Sequence, residues 1–114
     1  MTFSFKTTHK PCPVNQRYTI ARGQLILSKK YRESKNILKA EIHIQSAIIN
    51  WKPLKEKVTV TIGVGFPRYD IDAPIKILLD AMTGIVYEDD KQVSQVIVFR
   101  IDEPMIRINV ETMK

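Results

Sequence analysis

Residues 58–93 read VTVTIGVGFPRYDIDAPIKILLDAMTGIVYEDDKQV, and the fold turns on this stretch. It opens in strict alternation. Val58, Val60, Ile62, Val64 and Phe66 fall on one face, with Thr59, Thr61, Gly63 and Gly65 on the other. That is the pattern of a strand with one buried face. The two glycines leave room for something to lie close to the open side of the backbone. Pro67 ends the strand. Asp72 is placed to cap a helix that has Pro74 near its first position. Ile75, Leu78, Leu79 and Met82 form the apolar stripe of that helix, and Gly84 marks its end. An acidic turn, Glu88-Asp89-Asp90, follows.

Downstream, Val93 to Ile101 and Met105 to Val110 read as two strands joined by Asp102-Glu103-Pro104. Upstream, Lys29 to about Ile49 runs without Gly or Pro, and Ser28 is a plausible cap. Tyr31, Leu38, Ile42 and Gln45 trace one side of this helix, with Ile37, Ile44 and Ile48 near it. Lys29, Lys30, Arg32, Lys35 and Lys39 lie largely on the other face. Pro53 is expected to stop it, and Lys52, Lys55 and Lys57 line the loop beyond. Arg22-Gly23 reads as a turn leading through residues 24–27 to Ser28, and residues 2–8 as an edge strand. The prolines in Lys10-Pro11-Cys12-Pro13 impose an extended path. The element order is β, α, β, α, β, β. The expected class is α+β, with two helices on a small sheet of about four strands.

A chain of 114 residues and 13.2 kDa makes one domain, residues 1–114. Its 44% hydrophobic and 26% charged residues are globular values. No apolar run approaches the ~20 residues of a membrane helix. MTFSFKTTHK contains no apolar h-region, so a secretory signal is not expected. Cys12 is the one cysteine, which excludes an internal disulfide and a cysteine-based zinc site. A reduced, cytoplasmic protein fits these features. The net charge of +6 is divided unevenly. Residues 1–57 hold 12 Lys and Arg against 3 Asp and Glu, whereas residues 58–114 hold 6 against 9. One half is suited to a polyanion and the other to cations, although a solvated lysine-rich helix face would give the same count.

Gly-rich phosphate loops, HExxH, GxSxG and Cys–His clusters are absent from the sequence. His9 and His43 stand alone, and Cys12 has no evident base beside it. The carboxylates carry more chemistry. Asp70 and Asp72 flank one residue, and in an extended segment their side chains share a side. Asp89 and Asp90 follow a helix that returns the chain toward Asp70. Converging carboxylates are hard oxygen ligands for Mg²⁺ or Mn²⁺. Lys76, one turn after Asp72, can point at the same place. Such a set matches metal-dependent phosphodiester cleavage. The same residues also have plainer uses: a helix cap at Asp72, a solvated turn at Asp89-Asp90, and a surface pair between Lys76 and Asp80.

Taken as one string, Asp70-Ile71-Asp72-Ala73-Pro74-Ile75-Lys76, then Asp80-Ala81 and Gly84, then Asp89-Asp90-Lys91-Gln92-Val93, resembles the signature of RusA-type Holliday junction resolvases. That family reads D-x-D-N-x-x-K-x-x-x-D-A, a glycine, and a D-D-x-Q-V turn leading into a strand. Lys10-Pro11 to Pro13, Asn15, Tyr18, Gly23 and Ser28 are similar to its N-terminal segment. The resemblance implies a compact homodimer with a small mixed sheet packed with two helices. It also implies that Asp70, Asp72 and Asp90 are catalytic metal ligands, that Asp89 supports them, and that Lys76 is the active-site lysine. Mg²⁺ is the implied cofactor, with Mn²⁺ able to substitute and no organic cofactor. Four-way junction DNA is the implied partner, nicked in two strands symmetrically, with no membrane. A bacterial, prophage or phage-encoded protein is implied. Alternatives within reach are a Mg²⁺ nuclease acting on forks or flaps and a decayed junction-binding module.

An acidic site repels DNA, so the basic half must supply attraction. The candidates are Lys10, Arg17, Lys29, Lys30, Arg32, Lys35, Lys39 and Arg68, with Lys52, Lys55 and Lys57 beside them. There are two departures from the family pattern. Ala73 stands where Asn is usual, and only Arg68 supplies positive charge just before the acids.

Overall fold

A computed structural model describes residues 1–113, so Lys114 of the expected domain lies outside the described residues. In chain order the elements are β1 (Thr2–Thr7), β2 (Tyr18–Ala21), β3 (Gln24–Leu27), α1 (Lys29–Ile48), β4 (Val58–Val64), α2 (Ile75–Met82), β5 (Val93–Arg100) and β6 (Ile106–Thr112). Short 3-10 turns cover Val14–Gln16 and Asp90–Gln92.

The alternating run at 58–64 forms a central strand. The four-stranded sheet has the order β1-β6-β4-β5. β4 pairs with β6 antiparallel and with β5 parallel, and β1 pairs with β6 antiparallel, so the sheet is mixed. α2 is the crossover that lets β5 run parallel to β4. Val58, Val60, Ile62 and Val64 are fully buried with Phe3, Ile106, Ile108 and Val110 on one face. Tyr31, Leu38 and Ile42 of α1 and Ile77, Leu78, Ala81 and Met82 of α2 complete this core. Burying a large aliphatic side chain contributes about 1.5–3 kcal/mol, so this shared face supplies most of the stability.

The room left by Gly63 and Gly65 is taken by the chain itself. β5 and β6 lie on either side of β4, so their connection must cross the end of β4. Ile101 N–H bonds the Val64 carbonyl at 3.1 Å, and Gly65 N–H bonds the Met105 carbonyl at 2.9 Å. A Cβ at Gly65 would sit 1.6 Å from the Glu103 carbonyl oxygen. The open face therefore accommodates a crossing loop rather than a ligand at this point.

Several elements differ from the sequence expectation. Residues 18–27 form a two-stranded hairpin, with Ile20 opposite Leu25. Its two turn residues, Arg22 at φ 54° and Gly23 at φ 77°, are both left-handed, the geometry that matches the twist of paired strands. On α1 the buried positions are Tyr31, Ser34, Leu38, Ile42 and Ser46, while Ile37, Ile44 and Ile48 are exposed. Those three isoleucines lie about 100° round the helix from the Leu38 stripe, at 100° per residue. The sheet covers only one stripe. Asn50, with φ 54°, ends α1 before Pro53 is reached. Asp72 does not cap α2; Pro74 holds the cap position with no side-chain bond.

Candidate active site

Tyr69 is the pin of the strand-to-helix junction. It is buried, and its hydroxyl donates to the Pro11 carbonyl at 2.8 Å. Burial pushes its phenol pKa well up, so it stays a neutral donor. Its neighbours Arg68 and Asp70 remain exposed on either side. The Lys10 ammonium lies 5.5 Å from the Tyr69 ring centroid. Residues 70–73 form a turn, not the extended pair expected, because Ala73 N–H bonds the Asp70 carbonyl at 3.0 Å. Asp72 uses its backbone carbonyl to accept from Ile75 N–H. Its side chain and that of Asp70 are exposed and make no hydrogen bond or ion pair among the described residues. Ala73 itself is buried, and its carbonyl accepts from Val14 N–H at 3.2 Å. The position where the family has Asn therefore faces packed chain.

One turn into α2, Lys76 Nζ lies 3.1 Å from Asp80 Oδ1. The pair is more than a surface contact: the Asp80 side chain is 17% exposed, and Tyr31 Oη donates to its Oδ2 at 3.3 Å. Burial and then the Asp80 charge push the Tyr31 phenol up to about 12. The Arg17 guanidinium sits 5.7 Å from the Tyr31 ring centroid and 4.8 Å from that of Tyr18. Arg17 Nε is buried without a hydrogen-bond partner among the described residues. A line of contacts thus runs from Lys76 through Asp80 and Tyr31 to Arg17. In the sequence Asp80 reads as an i,i+4 partner of Lys76 and as one position of the family signature. The signal for more was the apolar stripe that brings Tyr31 of α1 against α2.

The acidic turn is built around Asp89. Its Oδ1 accepts from Lys91 N–H at 3.0 Å, and Gln92 Oε1 accepts from Asp89 N–H at 2.8 Å. This reciprocal capping box closes the 3-10 turn. Gln92 Nε2 anchors the turn to the carbonyls of Leu54 and Glu56, both at 2.8 Å. The Lys91 N–H, and next the neighbouring Asp90 carboxyl, hold Asp89 below its ordinary pKa. Asp90 is exposed. Tyr87, fully buried, donates to the Leu79 carbonyl at 2.8 Å, and burial raises its phenol pKa. A hydrogen bond with the Thr83 side chain opposes that rise, and the charges of Asp90 and Asp80 add to it.

Asp70 and Asp72 precede α2, whereas Asp89 and Asp90 follow it, with eight helical residues, about 12 Å of helix, between. Among the described residues no three His, Cys, Asp or Glu lie close enough to hold a metal ion. The convergence of three carboxylates expected from the sequence is not formed within one chain. The donor chemistry still suits Mg²⁺, which keeps several waters and takes one or two carboxylates plus substrate phosphate rather than a closed protein cage.

The cations are distributed as follows. Lys10, Lys29, Lys30, Arg32 and Arg68 are exposed, Lys35 and Lys39 are half-buried on α1, and Lys52, Lys55 and Lys57 are exposed in the loop after it. Lys29 lies 3.8 Å from Glu33, a solvated pair of little energetic weight. His9 is not isolated: its Nε2 lies 2.8 Å from Ser34 Oγ, which accepts from Cys12 N–H at 2.9 Å. This links the proline-rich segment to α1. Burial raises the Cys12 thiol, opposed by the Lys30 charge, so the thiol is unsuited to nucleophilic work. Among the described residues no helix is long and apolar enough to cross a membrane.

No curated protein matches the chain. The family description Endodeoxyribonuclease RusA matches residues 9–111. That match takes in the proline-rich segment, the crossover unit and the acidic turn together, and this chain therefore belongs to the Endodeoxyribonuclease RusA family.

Proposed function

We propose that this protein is a Mg²⁺-dependent endonuclease that resolves four-way DNA junctions by paired nicks in recombination and repair, and that it acts as a homodimer. The observation that carries the reading is the pairing of two exposed carboxylates, Asp70 and Asp72, unpartnered among the described residues, with a lysine held one turn away by a half-buried acid.

Asp70, Asp72 and Asp90 would hold the metal, with Mn²⁺ able to replace Mg²⁺. When bound, the ion supplies Lewis-acid stabilisation of the phosphate and a water of lowered pKa. Asp80 orients the Lys76 ammonium, so that it can turn to the phosphate oxygens or the leaving 3′ oxygen as charge builds there. Tyr31, neutral up to about pH 12, steadies Asp80 by donation. Asp89 uses its carboxylate to cap the acidic turn and so presents Asp90. The basic half supplies the attraction for the DNA backbone.

Two considerations favour a dimer. A four-way junction needs two symmetric cuts, and one chain has one candidate site. In addition, the acids lie at opposite ends of α2, and a two-fold partner can bring Asp90 of one copy to Asp70 and Asp72 of the other. The deciding experiment incubates purified protein and Mg²⁺ with labelled four-way junction, fork, flap and linear duplex. Paired symmetric nicks confined to the junction are expected. Preferential cutting of forks or flaps would reassign the substrate, and binding without any cutting would make the protein a junction-binding module.

A further inference from the structure

The β2–β3 hairpin carries apolar surface that the fold does not use. Every residue from Tyr18 to Ile26 is exposed. The register places Tyr18, Ile20, Leu25 and Leu27 on one face. Leu27 packs against the core at the base, whereas Ile20 is 76% and Leu25 67% exposed. They form a directly opposed aliphatic pair just inside the Arg22-Gly23 tip. A lone two-stranded hairpin is marginally stable in water, and leaving an aliphatic pair uncovered on it does nothing for folding.

The surrounding charge indicates what covers that pair. Seven Lys and Arg precede Glu33 in the chain, and no Asp or Glu does. Arg22 sits at the tip itself. A second copy would bring the same excess of positive charge against this face, which disfavours self-association there. Nucleic acid complements it. Stacking hides the apolar faces of base pairs in continuous duplex, but a branch point interrupts the stack and leaves such faces open. Apolar side chains inserted at unstacked steps are a common way of holding distorted DNA. The hairpin is also tied to the acid site. Ser28 N–H bonds the Arg17 carbonyl at 2.8 Å, and the Arg17 guanidinium faces Tyr31, which bonds Asp80.

We propose that the Ile20–Leu25 pair reads the branch point: it packs on base-pair faces opened at the junction centre, while Arg22 and the flanking cations hold the adjoining phosphates. This inference rests on the junction-resolving function proposed above and identifies the element that separates junction from duplex. The test uses the full chain in metal-free buffer, a four-way junction with 2-aminopurine at the branch, and a linear duplex of equal length. The wild type should raise the 2-aminopurine fluorescence. The double variant Ile20→Ser/Leu25→Ser should lose that rise and about tenfold in junction affinity, with duplex affinity within about twofold. That loss corresponds to about 1.4 kcal/mol. Ile26→Ser, on the opposite face of the hairpin, should retain both. A double variant that binds and brightens the junction like wild type overturns the proposal. So does an Ile26→Ser variant that loses as much, or a double variant that sediments at half the wild-type mass. A wild type with no preference for junction over duplex would instead sink the reading beneath it.

Discussion

The crossover unit at 58–93 and the hairpin at 18–27 are built on opposite terms. In the first, Val58, Val60, Ile62 and Val64 are all fully buried, and the acids stand just outside that packed frame. In the second, every residue from Tyr18 to Ile26 is exposed, aliphatic side chains included, in a part of the chain that carries seven Lys and Arg and no acid before Glu33. On the function proposed here, stability and chemistry belong to the buried region, and attraction and recognition to the exposed one. Substitutions in the first should change turnover or folding, whereas those in the second should change affinity alone.

The largest effects should come from the carboxylates. Asp70→Asn or Asp90→Asn should reduce Mg²⁺-dependent cleavage by more than the ~10–100-fold typical of outer-shell changes at metal sites. Junction binding should persist or tighten, because a negative charge facing DNA is gone. Single-turnover cleavage beside a gel-shift titration checks both, and near-normal cutting by either variant would break the assignment. A mixture of the two dead variants sharpens it. If each site is shared between copies, exchanged heterodimers regain one intact site and single nicks return; if each site lies within one chain, the mixture stays dead.

Next come the residues that hold and use the lysine. Lys76→Ala and Asp80→Asn should each lower kcat by about 10–100-fold. For Asp80→Asn, removal of a negative charge should leave KM unchanged or lower, a split that general loss of structure would not produce. Asp80→Glu should restore part of the rate. A matched loss in KM and kcat would return Asp80 to a purely structural place.

Charge reversal at Lys29 and Lys30 tests the exposed region. Each phosphate contact contributes about −0.9 to the slope of log K against log salt. Reversal should flatten that slope by up to about two per chain and leave kcat at saturating DNA unchanged. A salt titration that shows no change in slope would remove these lysines from the DNA surface.

Two glycines compare the regions in stability. Gly65→Ala places a Cβ against the Glu103 carbonyl and should cost about 1–3 kcal/mol by overpacking. Gly23→Ala meets no atom within 4 Å but must hold φ 77°, a strain of about 1–2 kcal/mol. Because the hairpin is exposed, that strain can be relieved locally, and urea unfolding should record little of it. Equal shifts would mean that the hairpin folds as one unit with the core.

The smallest effect lies in acid. Asp89 is held below its ordinary pKa of 3.8, chiefly by the Lys91 N–H. Its contribution to folding is therefore present above that value and lost as pH falls through the lower folded one. Asp89→Asn should keep the cap and flatten this acid dependence, with little change in melting at neutral pH.

The fold was largely legible, because its main elements are local patterns. Alternation announced β4, the uninterrupted amphipathic run announced α1, and Ser28 does cap it, with its side chain accepting from Tyr31 N–H. The hairpin is hard to read from the sequence because its two strands of four residues are too short for a period to show, and a left-handed arginine at the turn is uncommon. Ile37, Ile44 and Ile48 read as near the core in sequence because periodicity shows that a stripe is apolar, not how wide a surface awaits it. Asp72 reads as a cap because Asp shortly before Pro is a good cap signal, although after the turn at 70–73 its side chain makes no hydrogen bond among the described residues.

What the sequence determined on its own was the order and kind of the main elements, the separation of charge and the family signature. These depend on residues close together in the chain, where spacing is sufficient information. What only the tertiary structure decided was which side chains meet. The Glu103 carbonyl over Gly65, Tyr31 on Asp80 and Tyr69 on Pro11 join residues 38, 49 and 58 positions apart. The placing of the acids at either end of α2, with no three close enough for a metal among the described residues, is of the same kind. Such contacts follow from how a mixed sheet routes its loops and packs two helices on one face, and no local periodicity encodes that routing.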